Sequence, residues 1–161
     1  TCALPIFKRE LPLARLTVVG DGPVLTELKR EASELGVADS VNFTGYKPRT
    51  ELPQIYADHD LFITASAMET QGLVALEAIA TGMPSIGVDA FALPELIQHG
   101  RNGYIAPPHD IPGIAAAAVN LLKDQVAFEK FSKEAILVAA DHSHDRCSDK
   151  LERIYRKARK P

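Results

Sequence analysis

Two carboxylates stand out in the segment METQGLVALEAIATGMP, residues 68–84, where Glu69 and Glu77 are separated by seven residues. The residues between them predict a helix that begins near Gln71. Because a helix rises about 1.5 Å per residue, the two carboxylates would lie roughly 10 Å apart along its axis. Carboxylate pairs that hydrolyse one glycosidic bond are mostly closer than this. The spacing therefore favours one extended ligand that is contacted near both ends.

Glu77 lies in the middle of an almost wholly apolar helix predicted over residues 71–81, and that segment contains no Lys or Arg. Carboxylates are rarely buried without a partner, because an isolated charge loses its hydration on burial. Two interpretations stay open for Glu77, namely binding of a ligand or capping by a neighbouring loop amide. Glu69 can likewise be read as a ligand contact or as a first-turn partner of the helix dipole.

The start of the same predicted helix offers backbone donors to a ligand. Free N–H groups and the helix dipole favour an anion at a helix N-terminus, so a phosphate or a sugar hydroxyl could bind there. Gly72 removes side-chain obstruction at this point. The amides expected to take part are those of Thr70, Gln71, Gly72 and Leu73.

A second candidate anion site is the segment VVGDGPVL, where Gly20 and Gly22 stand between a predicted strand and a predicted helix. Glycines at such a turn let the backbone approach a phosphate. The full dinucleotide-binding fingerprint is absent, because Leu25 occupies the place of the third glycine. A tight turn that binds nothing is the alternative.

The composition excludes several classes of function. The chain has 161 residues with a net charge of −3, so it offers no overall cationic surface for nucleic acid. No apolar run approaches the roughly 20 residues that span a bilayer. Cys2 and Cys147 lie at opposite ends of the chain, which indicates neither a metal site nor a disulfide framework and favours a reducing, cytosolic setting. We expect one domain over residues 1–161, with 125–161 as its closing helices.

Short β-branched runs alternate with longer helical segments along the chain. The runs typical of strands cover residues 15–20, 40–45, 60–65, 84–89 and 102–107, and helices are predicted over 23–36, 49–59, 71–81, 92–100, 110–124, 125–140 and 143–160. Single helices between strands predict an α/β fold, a Rossmann-like parallel sheet with helices on both faces. Ligands bind beyond the carboxyl ends of the strands in such sheets. The segments that follow predicted strands are GDGP (20–23), GYKP (45–48), SAMETQG (66–72) and VDAFALPE (88–95).

Four segments in the same order carry a resemblance to a known family. These are VVGDGP (18–23), VNFTGY (41–46), YADHDLFITAS (56–66) and SAMETQGLVALEAIATGMPSIGVDAFALPELIQHGRNGYIAPPHD (66–110). They resemble the retaining, nucleotide-sugar-dependent glycosyltransferases of family four, which have the two-domain GT-B fold. The resemblance extends from about residue 4 to about residue 124. It implies that this chain is the C-terminal, donor-binding half of such an enzyme.

The resemblance also implies roles for individual residues. Glu69 would be the catalytic-site residue that contacts hydroxyls of the donor hexose, and Glu77 would bind the ribose hydroxyls of the nucleotide. Tyr46 would lie near the base. The remaining donor-binding residues would contact the sugar or the diphosphate or let them come close, and they are Gly20, Gly22, Thr70, Gln71, Gly72 and Leu73.

At the level of the whole enzyme, the family implies a nucleotide-diphosphate hexose donor, with UDP-glucose as the best choice, and no metal or other cofactor. The sequence ETQGL most resembles glucosyltransferases acting on diacylglycerol. We therefore expect a lipid, glycolipid or saccharide acceptor and a cytoplasmic location, with the inner face of the membrane as one option. The N-terminal acceptor domain, a first strand and its basic residues are not in this sequence, so this chain alone is expected to be inactive. A homodimer through the uncovered face is an alternative that stays open. The alternatives are a non-catalytic nucleotide-sugar binding module and an epimerase that shares the fold.

The tail DKLERIYRKARK, residues 149–160, is basic, with apolar residues along one helical face. Such a helix can lie on an anionic membrane. We favour the alternative that it packs on this domain or on the partner domain, as the last helix of the family does. His142 and His144 are two residues apart and do not share a helical face, so an interhelix turn is favoured over a metal site there.

Overall fold

The computed structural model describes residues 2–159. The strands are β1 (Leu16–Val19), β2 (Val41–Gly45), β3 (Phe62–Ile63), β4 (Ser85–Val88) and β5 (Gly103–Ala106). The α-helices are α1 (Leu4–Glu10), α2 (Leu25–Glu34), α3 (Leu52–Ala57), α4 (Leu73–Ala80), α5 (Leu93–Leu96), α6 (Ile111–Lys123), α7 (Gln125–Asp141) and α8 (His144–Ala158). A single 3₁₀ turn, Ala38–Ser40, precedes β2.

All described strand pairs are parallel, and helices separate the strands along the chain. The predicted α/β architecture is confirmed. The strands form two hydrogen-bonded groups, β1–β2 and β3–β4–β5, rather than the one continuous sheet that the pattern suggests. Between the groups, Nε2 of His59 lies 2.7 Å from Oγ1 of Thr17, so side chains rather than a strand ladder make a contact there.

The core is built around β4, in which every residue is buried. A parallel strand that is covered on both faces has this continuous apolar pattern. Helix α4 contributes Ala75, Ala78 and Ile79 to this core, and all three are at most 1% exposed. Helices α6 and α7 add further buried faces. The element that carries Glu77 is thus fixed by packing along one side, which leaves its other side for a ligand.

β3 is much shorter than the strand predicted over 60–65, because only Phe62 and Ile63 pair in the ladder with β4. One further bond, from the amide of Thr64 to the carbonyl of Ile86, prolongs the contact. Among the described residues β3 has a strand on one side only, so half of its backbone groups lack a ladder partner. The chain beyond it turns away into the loop that carries Glu69.

Helix α8 has no buried residue, and Leu151, Ile154 and Tyr155 are 51%, 61% and 67% exposed. The expectation that it packs on this domain is therefore wrong. The helix begins at its N-cap Ser143, whose hydroxyl accepts a bond from the amide of Arg146. The ion pair between Arg146 and Asp141 joins this end of α8 to the end of α7. The roles at the partner domain or a membrane stay predictions.

The turn between α7 and α8 has the form predicted for His142 and His144. Nδ1 of His142 lies 3.0 Å from the carbonyl oxygen of Val138, and His144 is almost fully exposed. Within residues 2–159, no group of three or more His, Cys, Asp or Glu side chains could hold a metal ion. No helix in this part of the chain is long and apolar enough to cross a membrane.

Candidate functional site

The N-terminus of α4 is shaped by Gly72, whose φ of +65° lies in the left-handed region that favours glycine. The helix therefore begins at Leu73, two residues later than the sequence pattern suggested. Oε1 of Glu69 accepts a hydrogen bond from the Gly72 amide at 3.0 Å. Glu69 thus turns back onto the helix start, which is the local role left open above.

The loop after β4 supports the Glu69 loop through the main chain. The amide of Ala92 donates to the carbonyl oxygen of Glu69 at 3.2 Å. Glu69 is consequently held between the start of α4 and the segment that leads into α5. This arrangement fixes the position of the carboxylate, and within residues 2–159 Oε2 accepts no hydrogen bond.

Glu77 has partners that the sequence pattern did not reveal. The hydroxyl of Tyr56 in α3 donates to Oε2 of Glu77 at 3.1 Å, and Nη2 of Arg49 lies 3.7 Å from Oε1. The side chain of Glu77 is 35% exposed. The premise of a fully buried carboxylate without a cationic partner is therefore wrong, because the chain between β2 and β3 folds over the outer side of α4.

The hydroxyl of Tyr56 keeps the proton that it donates to Glu77. Burial raises the pKa of Tyr56 to about 12, and the charge of Glu77 and the hydrogen bond to it act in the same direction. The phenol therefore stays protonated at neutral pH. The folded protein favours the neutral phenol, so the raised pKa of Tyr56 contributes to stability. This contribution is complete below the ordinary pKa of 10.0 and is lost as the pH rises towards 12.

The other predicted residues occupy loops at the carboxyl ends of the strands. Gly20 and Gly22 follow β1, and the amide of Gly20 donates to the carbonyl of Gly45 at 2.9 Å, which joins the loop after β1 to the end of β2. Tyr46 follows Gly45 and is 77% exposed. Among residues 2–159, no hydrogen bond connects these two loops to the loop of Glu69. The predicted residues therefore form two separate clusters, one around Gly20 and Tyr46 and one around α4.

The first turn of α4 is open to solvent, because Leu73 and Val74 are 47% and 50% exposed. The first amides of a helix have no acceptor within it, so this end can bind an anion. Thr70 and Gln71 lie in the loop just before it. Amide donors flanked by the carboxylates of Glu69 and Glu77 suit a ligand that is anionic in the middle and rich in hydroxyls at its ends.

Phe91 is a residue of this region that the sequence reading missed. It follows β4 in the loop that supports Glu69, its φ is +48°, and it is 68% exposed. A positive φ is a genuine outlier for a bulky side chain, and strain of this kind is concentrated at functional sites. The sequence feature that could have singled out Phe91 is a large apolar residue in a loop at the carboxyl end of a strand.

Replacing Phe91 with glycine should raise the free energy of unfolding by roughly 0.5–1 kcal/mol. The left-handed conformation costs an L-residue about 1–2 kcal/mol, and the backbone entropy of glycine removes about half of that gain. Little packing is lost, because the ring is mostly exposed. Urea denaturation measures the change. Met68→Gly is the control, since Met68 is 80% exposed and has no positive φ, and it should lower stability. A loss of stability in both variants would show that Phe91 is not strained.

The sequence and the fold of this chain are similar to those of known proteins. Residues 2–138 match the family described as "Glycosyl transferases group 1". The chain is 37% identical over 130 residues to the GDP-mannose-dependent alpha-(1-6)-phosphatidylinositol monomannoside mannosyltransferase of Mycobacterium tuberculosis, a match that covers 76% of this chain and 34% of that protein. The chain spans about a third of the length of the curated relatives it matches.

Two solved structures have the same fold. The C-terminal domain of the glycosyl transferase group 1 family protein LpcC from Francisella tularensis is 27% identical with a TM-score of 0.78, over 86% of this chain and 74% of that chain. Anabaena Alr3699/HepE in complex with UDP and glucose is 25% identical with a TM-score of 0.82, over 94% of this chain and 43% of that chain.

Proposed function

This chain belongs to the group 1 glycosyl transferases, and we propose that it is the donor-binding domain of a retaining enzyme that transfers a hexose from a nucleotide-diphosphate sugar. The observation that carries the proposal is the arrangement at α4, where an exposed helix start lies between Glu69 and Glu77. A carboxylate at each end and amides between them match the hydroxyl, phosphate and hydroxyl groups of such a donor.

The proposed roles follow from the chemistry of each group. The diphosphate is bound by the free first amides of α4, beginning with Leu73, and by the helix dipole, which also stabilise it as it departs. Gly72, whose amide donates to Glu69, lets the diphosphate approach without a side chain in the way. The ribose hydroxyls donate to the carboxylate of Glu77. Hydroxyls of the hexose donate to Glu69, which orients the sugar and does not act as a nucleophile. Tyr46 contacts the base with its main chain, and the Gly20 and Gly22 turn admits the diphosphate or the partner domain.

UDP-glucose is the donor that we propose first. HepE, at 25% identity, is described with UDP and glucose, whereas the name of the mycobacterial relative specifies GDP-mannose. The base is consequently the least constrained part of the donor. For the acceptor we propose a lipid or glycolipid, with diacylglycerol suggested by the wording ETQGL and a phosphatidylinositol glycolipid named for the relative. A saccharide acceptor is the alternative.

A longer chain would supply the acceptor domain, and we propose that the exposed face of α8 contacts it. This face consists of Leu151, Ile154, Tyr155 and Ala158, with Lys150, Arg153 and Lys157 beside it. Cosedimentation of the 161-residue chain with anionic lipid vesicles would favour peripheral attachment to the inner face of a membrane instead. A concentration-dependent dimer that is abolished by Ile154→Glu would favour self-association through the same face.

The proposal is tested by calorimetric titration of the chain with UDP, GDP, ADP and their glucose conjugates. We expect one nucleotide to bind in preference to the others and to raise the stability of the chain in proportion to its occupancy, by roughly 2.7 kcal/mol at a hundred times the dissociation constant. Binding of none of the six compounds would contradict the proposal.

Glu69→Gln separates an enzyme from a binding module. In a chain that includes the acceptor domain, this variant should reduce transfer by about 10- to 100-fold, because a hydrogen bond to a charged group contributes about 1.5–3 kcal/mol. Affinity for the free nucleotide should stay within about twofold, since glutamine keeps an oxygen that can accept from the Gly72 amide. Product formation is measured at saturating donor, with Glu34→Gln on α2 as the control.

Two outcomes would contradict this assignment of Glu69. Normal turnover in Glu69→Gln would remove the residue from the reaction centre. A wild-type chain that binds donor but forms no product with any acceptor tested would favour the non-catalytic nucleotide-sugar binding module.

A further inference from the structure

The two oxygens of the Glu77 carboxylate are held by different residues. Oε2 accepts a hydrogen bond from the Tyr56 hydroxyl at 3.1 Å, while Oε1 faces Nη2 of Arg49 at 3.7 Å. Tyr56 belongs to α3, and Arg49 lies in the loop between β2 and α3. One segment thus approaches Glu77 with both a neutral donor and a cation.

The two contacts differ in strength. The Tyr56 hydroxyl is half-buried and within ordinary hydrogen-bond distance. The side chain of Arg49 is 83% exposed, and its distance to Oε1 is longer than a hydrogen bond. Exposed ion pairs contribute little to stability because solvent screens them. A ligand can therefore displace Arg49 at low cost, whereas Tyr56 is expected to stay.

The geometry of a carboxylate makes this difference useful. An ionised carboxylate has about four acceptor positions, and Tyr56 occupies one of them on Oε2. A vicinal diol needs two positions, so at least one of them is on Oε1, the oxygen that Arg49 faces. Binding of a diol and contact with Arg49 therefore compete, while Tyr56 fixes the plane of the carboxylate for both.

We propose that Tyr56 is a positioning residue that holds Glu77 in the orientation for a ribose diol, and that Arg49 is a latch that faces Glu77 until the nucleotide displaces it. This inference rests on the proposed function, since it specifies how the donor site is held ready and what the ligand must displace. It assigns functions to two residues outside the segment of the paired glutamates.

The test measures dissociation constants for the nucleoside diphosphate that the wild-type chain prefers and for its 2′,3′-dideoxy analogue. Tyr56→Phe should weaken binding of the natural nucleotide by about three- to tenfold, the effect of one lost hydrogen bond. Arg49→Gln should tighten it by about two- to fivefold, the range of an exposed ion pair. Neither change should alter binding of the dideoxy analogue or have an effect in a Glu77→Gln background.

Matched controls exist on the same chain. Tyr155→Phe removes a hydroxyl from the exposed Tyr155 of α8, and Arg30→Gln removes an exposed cation of α2 that pairs with Glu34. Both should leave the affinities unchanged. They show whether the loss of any phenol or any positive charge is enough to change binding.

Each contrary result has a distinct meaning. Equal weakening of the natural and dideoxy ligands by Tyr56→Phe would show a general structural role and overturn the positioning assignment. Weaker nucleotide binding in Arg49→Gln would show that Arg49 contacts the ligand and would overturn the latch. Ribose discrimination that depends on Glu77 but on neither Tyr56 nor Arg49 would leave the donor site intact and overturn this inference alone. A wild-type chain that binds no nucleotide would overturn both proposals.

Discussion

Replacing Glu77 with alanine should weaken nucleotide binding by about 10- to 100-fold. Two ribose hydroxyls would lose a charged acceptor, a hydrogen bond to a charged group contributes about 1.5–3 kcal/mol, and each 1.4 kcal/mol changes the dissociation constant tenfold. Water replaces part of the lost hydrogen bonding because Glu77 is 35% exposed. The expected range therefore corresponds to the net loss of one hydrogen bond rather than two. Calorimetric titration of the wild type and the variant measures the effect.

The same substitution should change the free energy of unfolding by less than about 1 kcal/mol. The variant loses an ion pair whose arginine is 83% exposed, and such pairs contribute about 0–1 kcal/mol. Alanine has a higher helix propensity than glutamate, and this gain in stability offsets part of the loss of the hydrogen bond from Tyr56. Glu129→Ala on α7 is the control for removal of an exposed carboxylate. A large loss of stability with unchanged nucleotide affinity would mean that Glu77 has a structural role only.

Gly72→Ala should lower the free energy of unfolding by about 2–4 kcal/mol. The φ of +65° at this position costs an L-residue about 1–2 kcal/mol. A Cβ atom there would also overlap Cδ1 of Leu96, a side chain that is 3% exposed. Overpacking of a core costs about 1–3 kcal/mol. Urea denaturation of the wild type and the variant measures the sum.

Gly36→Ala separates the two contributions to this effect. Gly36 has a φ of +68°, almost the same as Gly72, but a Cβ atom there meets nothing within 4 Å. It should lose only the conformational part, about 1–2 kcal/mol. Equal losses at the two positions would show that Leu96 moves aside without cost, and the close packing at the start of α4 would then not be what requires glycine.

The positions of the strands were predictable from the sequence because each apolar run is bounded by local signals. β4 illustrates this, since the run PSIGVD gives a strand over Ser85–Val88 with every residue buried. The length of β3 was not predictable, because strand length depends on a neighbour to pair with and not on local composition. The exposure of α8 was missed for a related reason, since an amphipathic pattern indicates that a face can be buried but not what covers it.

The candidate site was predictable in part. The segment from Glu69 to Leu73 lies where the pattern placed it, at a helix start that follows a strand. The partners of Glu77 were not predictable, because Tyr56 lies 21 residues away in the sequence and reaches α4 only through the packing of α3. Phe91 was missed because a positive φ at a non-glycine residue leaves no mark in composition or periodicity.

The central claim is that Glu77 binds the ribose of a nucleotide whose diphosphate lies at the start of α4. A crystal structure of this chain with its preferred nucleoside diphosphate tests it most directly. We predict ribose hydroxyls within hydrogen-bond distance of the Glu77 carboxylate, the bond from Tyr56 retained, Arg49 displaced, and a phosphate oxygen at the amide of Leu73. A nucleotide bound elsewhere, such as the cleft lined in part by Thr17, Lys47 and His59, with Glu77 still facing Arg49, would contradict the account.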